Sequence, residues 1–222
     1  MVASMSGCTD AALVLIGTGA NIHAVDRAEK GPLRYAVKAN LPLVVDTLLE
    51  LGADPDALDA DGNTALVDAL VAGHMTLVRL LVRYGCDVHR VGKATVGGVY
   101  RPCRPLEFAV GRKLLEAAKL FHACGAQFTD FVTVSELAEV GKESVLRNAE
   151  LVTRVLGEGC KESTLGKWIT RVQSSPRSLQ DVVRIRVREL LGHQLILKVR
   201  VLPLPGILRT YLSYSNEREF QD

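Results

Sequence analysis

The sequence predicts an all-α fold in two parts, a solenoid of short helix pairs with hairpin-like fingers and a small three-helix module at its carboxyl end. Three observations predict it. Glycine steps recur at Gly19-Ala20, Gly52-Ala53 and Gly85-Cys86, each 33 residues from the next. Between the steps, apolar residues return at three- and four-residue spacing, the signal of helices with one buried face. Residues 171–222 then turn basic, with nine Lys or Arg against five Asp or Glu, where the preceding 170 residues hold 18 against 20.

The first element, Ala11-Ala12-Leu13-Val14-Leu15-Ile16 leading to Gly19-Ala20, reads as the second helix of a unit. Its first helix would need residues before Met1, so the first unit is expected to be incomplete, unless residues 1–10 improvise the cap that an array needs. The next two units superimpose in register. Leu49-Glu50-Leu51-Gly52-Ala53-Asp54-Pro55-Asp56-Ala57 is answered one period later by Leu81-Val82-Arg83-Tyr84-Gly85-Cys86-Asp87-Val88-His89. Between them, Asp61-Gly62-Asn63-Thr64-Ala65-Leu66 opens a helix, with the Thr64 hydroxyl as its expected cap and Leu66, Ala69 and Leu70 as its stripe. Ala72-Gly73-His74 joins it to a second helix, where Leu77, Val78, Leu80, Leu81 and Val82 give a broader apolar surface. Gly85 offers the left-handed conformation that ends that helix. One such pair cannot bury both of its faces, whereas stacked neighbours can.

The period and these motifs resemble ankyrin repeats. The resemblance implies units of two antiparallel helices and a finger, stacked so that a long groove is left for a partner protein. One motif departs from the family pattern Thr-Pro-Leu-His, reading Gly31-Pro32-Leu33-Arg34, Thr64-Ala65-Leu66-Val67 and Arg104-Pro105-Leu106-Glu107 in turn. The histidine that ties neighbouring loops is absent each time, so looser coupling between units is expected. The fourth glycine step, Gly125-Ala126, comes 40 residues after Gly85, and the extra length falls in a glycine-rich finger over 91–102. Lys93, Tyr100 and Arg101 of that finger, with Arg27 and Asp59 of the earlier ones, are the expected substrate contacts. A tolerated surface insertion accounts for the long finger equally well, because lengthening a loop costs little entropy.

Residues 1–130 are thus expected to form the array, and 131–173 to cap it and link it onward. Thr133-Val134-Ser135-Glu136 is a capping-box pattern, a second helix is expected over 144–156, and Leu165, Trp168, Ile169 and Val172 form a third stretch with the tryptophan in the core. Residues 174–222 form the terminal module. Ser178 can cap a helix that Gly192 ends, with Leu179, Val182, Val183, Val187, Leu190 and Leu191 along one stripe and the arginines mainly elsewhere. Leu202-Pro203-Leu204-Pro205 then holds the chain extended before Ile207, Leu208, Tyr211 and Leu212 resume helical spacing.

These two terminal segments resemble the Elongin C-binding box and the cullin-5 box of the SOCS box, and the whole resembles the ankyrin repeat and SOCS box family over residues 11–126 and 174–215. The resemblance implies a substrate receptor of a ubiquitin ligase. Leu179, Val183, Val187 and Leu190 would hold Elongin C, with Elongin B beside it. Leu202, Pro203, Leu204, Pro205, Leu208 and Tyr211 would hold cullin-5 with its RING subunit, and the array would hold a substrate protein. Val183 stands where the family pattern has Cys, and the added branch is expected to weaken binding in a tight pocket without abolishing it.

Other classes find little support. Gly17-Thr18-Gly19 opens like a dinucleotide fingerprint, yet Ile22 stands where the third glycine belongs. Asp54, Asp56, Asp59 and Asp61 lack the rest of a calcium-loop pattern and read as turn formers. Arg184, Arg186 and Arg188 lack the interleaved aromatics of a nucleic-acid site. The five cysteines, Cys8, Cys86, Cys103, Cys124 and Cys160, are scattered and read as free thiols. No cofactor, metal, nucleic acid or membrane is expected, and the location expected is the cytoplasm, with the nucleus open. The alternative is a noncatalytic ankyrin scaffold whose tail folds back on the array.

Overall fold

The computed structural model describes residues 1–96, 99–127, 163–175, 177–192 and 195–213. The expected helices over 133–140 and 144–156, together with Cys160, lie outside the described residues. The chain divides into two compact units, Met1–Asp87 with Arg186–Asp222, and Val88–Ile185.

In the first unit three helix pairs follow one another: α1 (Val2–Met5) and α2 (Thr9–Gly17), α3 (Pro32–Lys38) and α4 (Pro42–Glu50), α5 (Ala65–Ala72) and α6 (Met75–Arg83). First helices stack on first helices and second on second, α1 on α3 on α5 and α2 on α4 on α6. The core this makes is aliphatic, with Val37, Val44, Val45, Leu48, Leu49, Leu66, Leu77 and Leu81 removed from solvent. Residues 1–10 do improvise a first helix, the single turn α1, of which only Ser4 is buried. Helix α2 ends at Gly17, so the Gly17-Thr18-Gly19 run closes a helix rather than following a strand. Gly19, Gly52 and Gly85 all sit at positive φ, between 87 and 93°, as the periodic glycine steps require.

Caps differ from the expectation. Thr64 stands at the N-cap of α5 with extended backbone, but its hydroxyl makes no capping hydrogen bond. Helices α3 and α4 begin instead with proline, whose fixed φ and missing N–H suit the first turn.

The expected looseness between units is also corrected. Arg34 occupies the position of the absent histidine, is buried, and reaches into the next unit. Its Nε donates to Asp68 Oδ2 at 2.7 Å, Nη1 lies 3.0 Å from Asp59 Oδ2 and also donates to the carbonyl of Asn63. A guanidinium ties three groups where an imidazole ties fewer, so the coupling is retained by different chemistry. The fingers are joined as well. Ala60 N–H donates to Ala28 O at 3.1 Å, and the buried Asp56 carboxylate accepts from Asp87 N–H at 2.9 Å. Asp54 and Asp59 each accept a backbone N–H two residues on, the turn-forming role expected of this acidic run, and Asp26 does the same one unit earlier.

The same unit contains α11 (Leu195–Val201) and α12 (Gly206–Ser213) and the end of α10 (Leu179–Leu191), which share a small core of Leu195, Val199 and Leu212 with Val187, Leu191 and Leu204 packed against it.

The second unit opens with the long finger, which forms an antiparallel hairpin of β1 (Gly92–Val96) and β2 (Val99–Cys103), in register from Gly92↔Cys103 to Val96↔Val99. Helix α7 (Pro105–Gly111) packs on β1 and on α8 (Leu115–Ala123), burying Leu106, Phe108, Val110, Leu120 and Phe121. Helix α9 (Thr164–Ser174) is capped by the Ser163 hydroxyl, which accepts from Gly166 N–H at 3.1 Å. Leu165 and Ile169 are buried, and Trp168 meets His122 edge to face with ring centroids 5.8 Å apart. Burial, and then the neighbouring Arg177, push the His122 imidazole down to about 4. Arg177 closes α8: its guanidinium donates to the carbonyls of His122, Gly125 and Ala126 at 2.8–3.2 Å.

Candidate functional site

Helix α10 carries the first candidate surface. Ser178 starts it, its hydroxyl accepting Asp181 N–H at 3.1 Å, and Gly192 at φ 58° ends it, both as expected from the sequence. The apolar stripe, however, points outward. Leu179 is 79% exposed and Leu190 73%, with Val182 and Val183 about half exposed. Positions 179, 183 and 190 share one helical face, so these side chains form a continuous apolar strip. Val187 and Leu191 leave that strip to pack on the small core around Leu195. Of the four residues expected to hold Elongin C, Leu179, Val183 and Leu190 are therefore presented together and Val187 supports them from beneath.

The arginines take the inward positions. Arg184 and Arg188 are buried, whereas Arg186 is exposed in a surface pair with Glu189. Arg188 Nη2 donates to Val82 O and Nη1 to Leu212 O, each at 2.6 Å. One guanidinium thus joins the C-terminal end of α6 to the last described helix of the terminal module. Beside it, Leu195 N–H donates to Tyr84 O at 3.3 Å. The module comes so close that a Cβ at Gly85 would overlap the Gly192 carbonyl oxygen and stand 2.9 Å from Leu195 Cβ. Tyr84 itself is buried, with its hydroxyl donating to Asp46 Oδ1 at 2.8 Å, and burial followed by that carboxylate pushes the phenol well above its ordinary value. Hydropathy sets the arginines of α10 apart from its apolar stripe, and the four-residue spacing of Arg184 and Arg188 was the available sign of a common inner face.

The proline segment carries the second surface. Leu202, Pro203, Pro205 and Leu208 are exposed, together with Val201 and Ile207, while Leu204 packs on the module core and Tyr211 is half-buried. Of the six residues expected to hold the cullin, four face outward and Leu204 anchors the segment.

On the array, Arg27 and Lys93 are exposed. The side chains of Tyr100 and Arg101 lie outside the described residues. Asp59 is a correction: only 4% exposed, its carboxylate is taken up by Arg34 and by Lys30 at 3.7 Å, so it organises the finger and does not offer itself to a partner. A groove of about 350 Å³ opens in this part of the array, floored by Leu33, Ala53 and Ala65 and lipped by Val25 and Leu58, which the sequence reading missed. Among the described residues no helix is long and apolar enough to cross a membrane.

Comparison with known proteins agrees with this geometry. The family model for ankyrin repeats matches residues 1–91 in three copies, and that for the SOCS box matches residues 175–213. The chain is 27% identical to human Ankyrin repeat and SOCS box protein 2 over 197 residues, 83% of this chain and 30% of that protein. It is 26% identical to the Bos taurus protein of the same name over 92% of this chain and 32% of that one. It is 42% identical to the mouse B-cell lymphoma 3 protein homolog over 87 residues, 39% of this chain and 19% of that protein. The chain spans about a third of the length of the ankyrin repeat and SOCS box proteins it matches. With both modules matched, in this order and over more than half of its length, the chain belongs to the ankyrin repeat and SOCS box proteins.

Proposed function

We propose that the chain is a noncatalytic receptor subunit of a cullin–RING ubiquitin ligase, in which the SOCS box recruits Elongin B and Elongin C with cullin-5 and its RING subunit, and the ankyrin array holds a substrate protein. The observation that carries the reading is the exposed strip of Leu179, Val182, Val183 and Leu190 on a helix whose other face is already occupied by its own fold. An apolar strip kept in water by a well-seated helix marks a protein interface. The exposed Pro203, Pro205 and Leu208 supply a second such surface for the cullin. The work of such a subunit is proximity. Holding a substrate beside a ubiquitin-charged conjugating enzyme raises the effective concentration of its lysines without any group of this chain entering the chemistry.

Co-expression with Elongin B and Elongin C, followed by addition of the cullin-5 amino-terminal domain, tests the reading. A stable ternary complex that then binds cullin-5 is expected, and Leu179→Arg should abolish it while the free chain stays folded. Val183→Cys should tighten Elongin C capture severalfold, because Val183 is half exposed and its branch would crowd a tight partner pocket. A soluble chain that ignores both Elongins would sink the ligase reading and favour the scaffold.

A further inference from the structure

The groove between the first two fingers has a feature that packing does not account for. Its lips, Val25 and Leu58, are 59% and 45% exposed, and they are 33 residues apart, the same position of successive units. One period further, Val91 is again aliphatic and 47% exposed. A single exposed aliphatic is ordinary, but the same choice at the corresponding position of three successive units serves no core. The groove is also preformed: Ala60 N–H donates to Ala28 O, and Lys30 reaches Asp59, so the fingers that bear the lips are tied to each other before anything binds. Its charge is one-sided. Glu29 and Asp54 line it and are exposed, whereas Arg34, which also lines it, is committed to Asp59, Asp68 and Asn63.

We propose that this groove receives an extended segment of a partner protein that places an aliphatic or aromatic side chain between Val25 and Leu58 and a lysine or arginine against Glu29 and Asp54. The inference rests on the reading of the array as the module that holds a substrate, and it names the class of sequence held. An extended segment suits a groove between two successive fingers because alternate side chains project to one side. The apolar lips supply affinity and the carboxylates choose basic over acidic neighbours. A preorganised groove avoids the entropy of ordering loops on binding.

Fluorescence anisotropy of the full chain with three short labelled peptides, alternating Leu–Lys, Leu–Glu and Ser–Lys, tests the proposal. The Leu–Lys peptide is expected to bind tightest. Leu58→Ser and Val25→Ser should each weaken it about tenfold, as the loss of one well-covered aliphatic contact does. Glu29→Lys combined with Asp54→Asn, which keeps the turn-forming oxygen at 54, should move the preference toward Leu–Glu. Leu43→Ser, at an exposed leucine of α4 outside the groove lining, should leave the peptide affinity unchanged. Equal binding of all three peptides, no binding of any, or a Leu–Lys affinity that survives Leu58→Ser within twofold overturns the proposal. Elongin B and C capture is scored on the same preparations: lost capture with an intact peptide preference rejects the ligase reading alone, and intact capture without a preference rejects the groove alone.

Discussion

Arg186 and Arg188 sit two residues apart on one helix and should behave oppositely when each is replaced by methionine. Methionine keeps the apolar stem of arginine and removes only the guanidinium. At 188 the guanidinium is buried and donates to two carbonyls at 2.6 Å, Val82 O and Leu212 O. Charge-assisted hydrogen bonds are worth about 1.5–3 kcal/mol each, but Arg188→Met also removes the desolvation of a buried charge. Val82 O moreover retains Gly85 N–H at 3.0 Å as a second donor. The net loss expected is therefore about 2 kcal/mol, well below the sum of two such bonds. At 186 the group is exposed and paired on the surface with Glu189 at 3.0 Å, so Arg186→Met should stay within about 0.5 kcal/mol of the parent. Urea unfolding followed by circular dichroism measures both, and hydrogen exchange at the amides of Gly85 and Cys86 shows where the loss falls. If the two variants are equally stable, or if exchange at 85–86 is unaltered in Arg188→Met, the guanidinium does not hold the module to the array.

Three further outcomes are expected. Gly85→Ala and Gly73→Ala both force alanine into positive φ, a strain of about 1–2 kcal/mol, but only residue 85 is crowded by Gly192 and Leu195, so thermal unfolding should place Gly85→Ala clearly below Gly73→Ala. Burial pushes the Asp59 carboxyl up, yet the amides of Asn63 and Asp61 and the cations Arg34 and Lys30 outweigh it and hold the group below its ordinary value. Its stabilisation is thus complete above the unfolded carboxylate pKa of about 3.9 and is lost as pH falls through the lower folded value, so a pH series of melting temperatures should be flatter there for Asp59→Asn. His122, lowered to about 4, remains neutral in the fold while the unfolded imidazole takes a proton near pH 6.5, so stability should fall from about pH 6.5 down to about 4 and His122→Gln should remove that slope; an NMR titration midpoint for His122 near 6.5 contradicts the burial argument.

The sequence made the repeat plainly legible, because a 33-residue period combines glycine chemistry with helical apolar spacing, two independent signals that agree. The ends of α10 were equally readable, since Ser178 and Gly192 act through their own local backbone. What escaped were choices made by distant groups. Arg34 looked like a lost contact because the motif names histidine, yet the carboxylates that welcome a guanidinium, Asp59 and Asp68, lie in the next unit. Arg188 looked like a solvent residue because hydropathy has no knowledge of carbonyls waiting at the end of α6. Thr64 failed as a cap in the opposite sense, the position being right and the hydrogen bond absent. The groove lips were present in the sequence as a second 33-residue series, Val25, Leu58 and Val91, hidden because aliphatics are ordinarily read as core.

Gly85 answers to two modules at once, terminating α6 for the array and making room for Gly192 and Leu195 of the box. A residue with two employers narrows how the parts can be exchanged. A box of this kind grafted onto another array will seat only where the acceptor offers a bare backbone at the end of a second helix. An array fitted with a bulkier terminator there, asparagine for instance, will keep its own fold and refuse the graft. Compatibility between array and box is then decided by a single missing side chain, which makes this position the first to inspect when arrays and boxes are recombined.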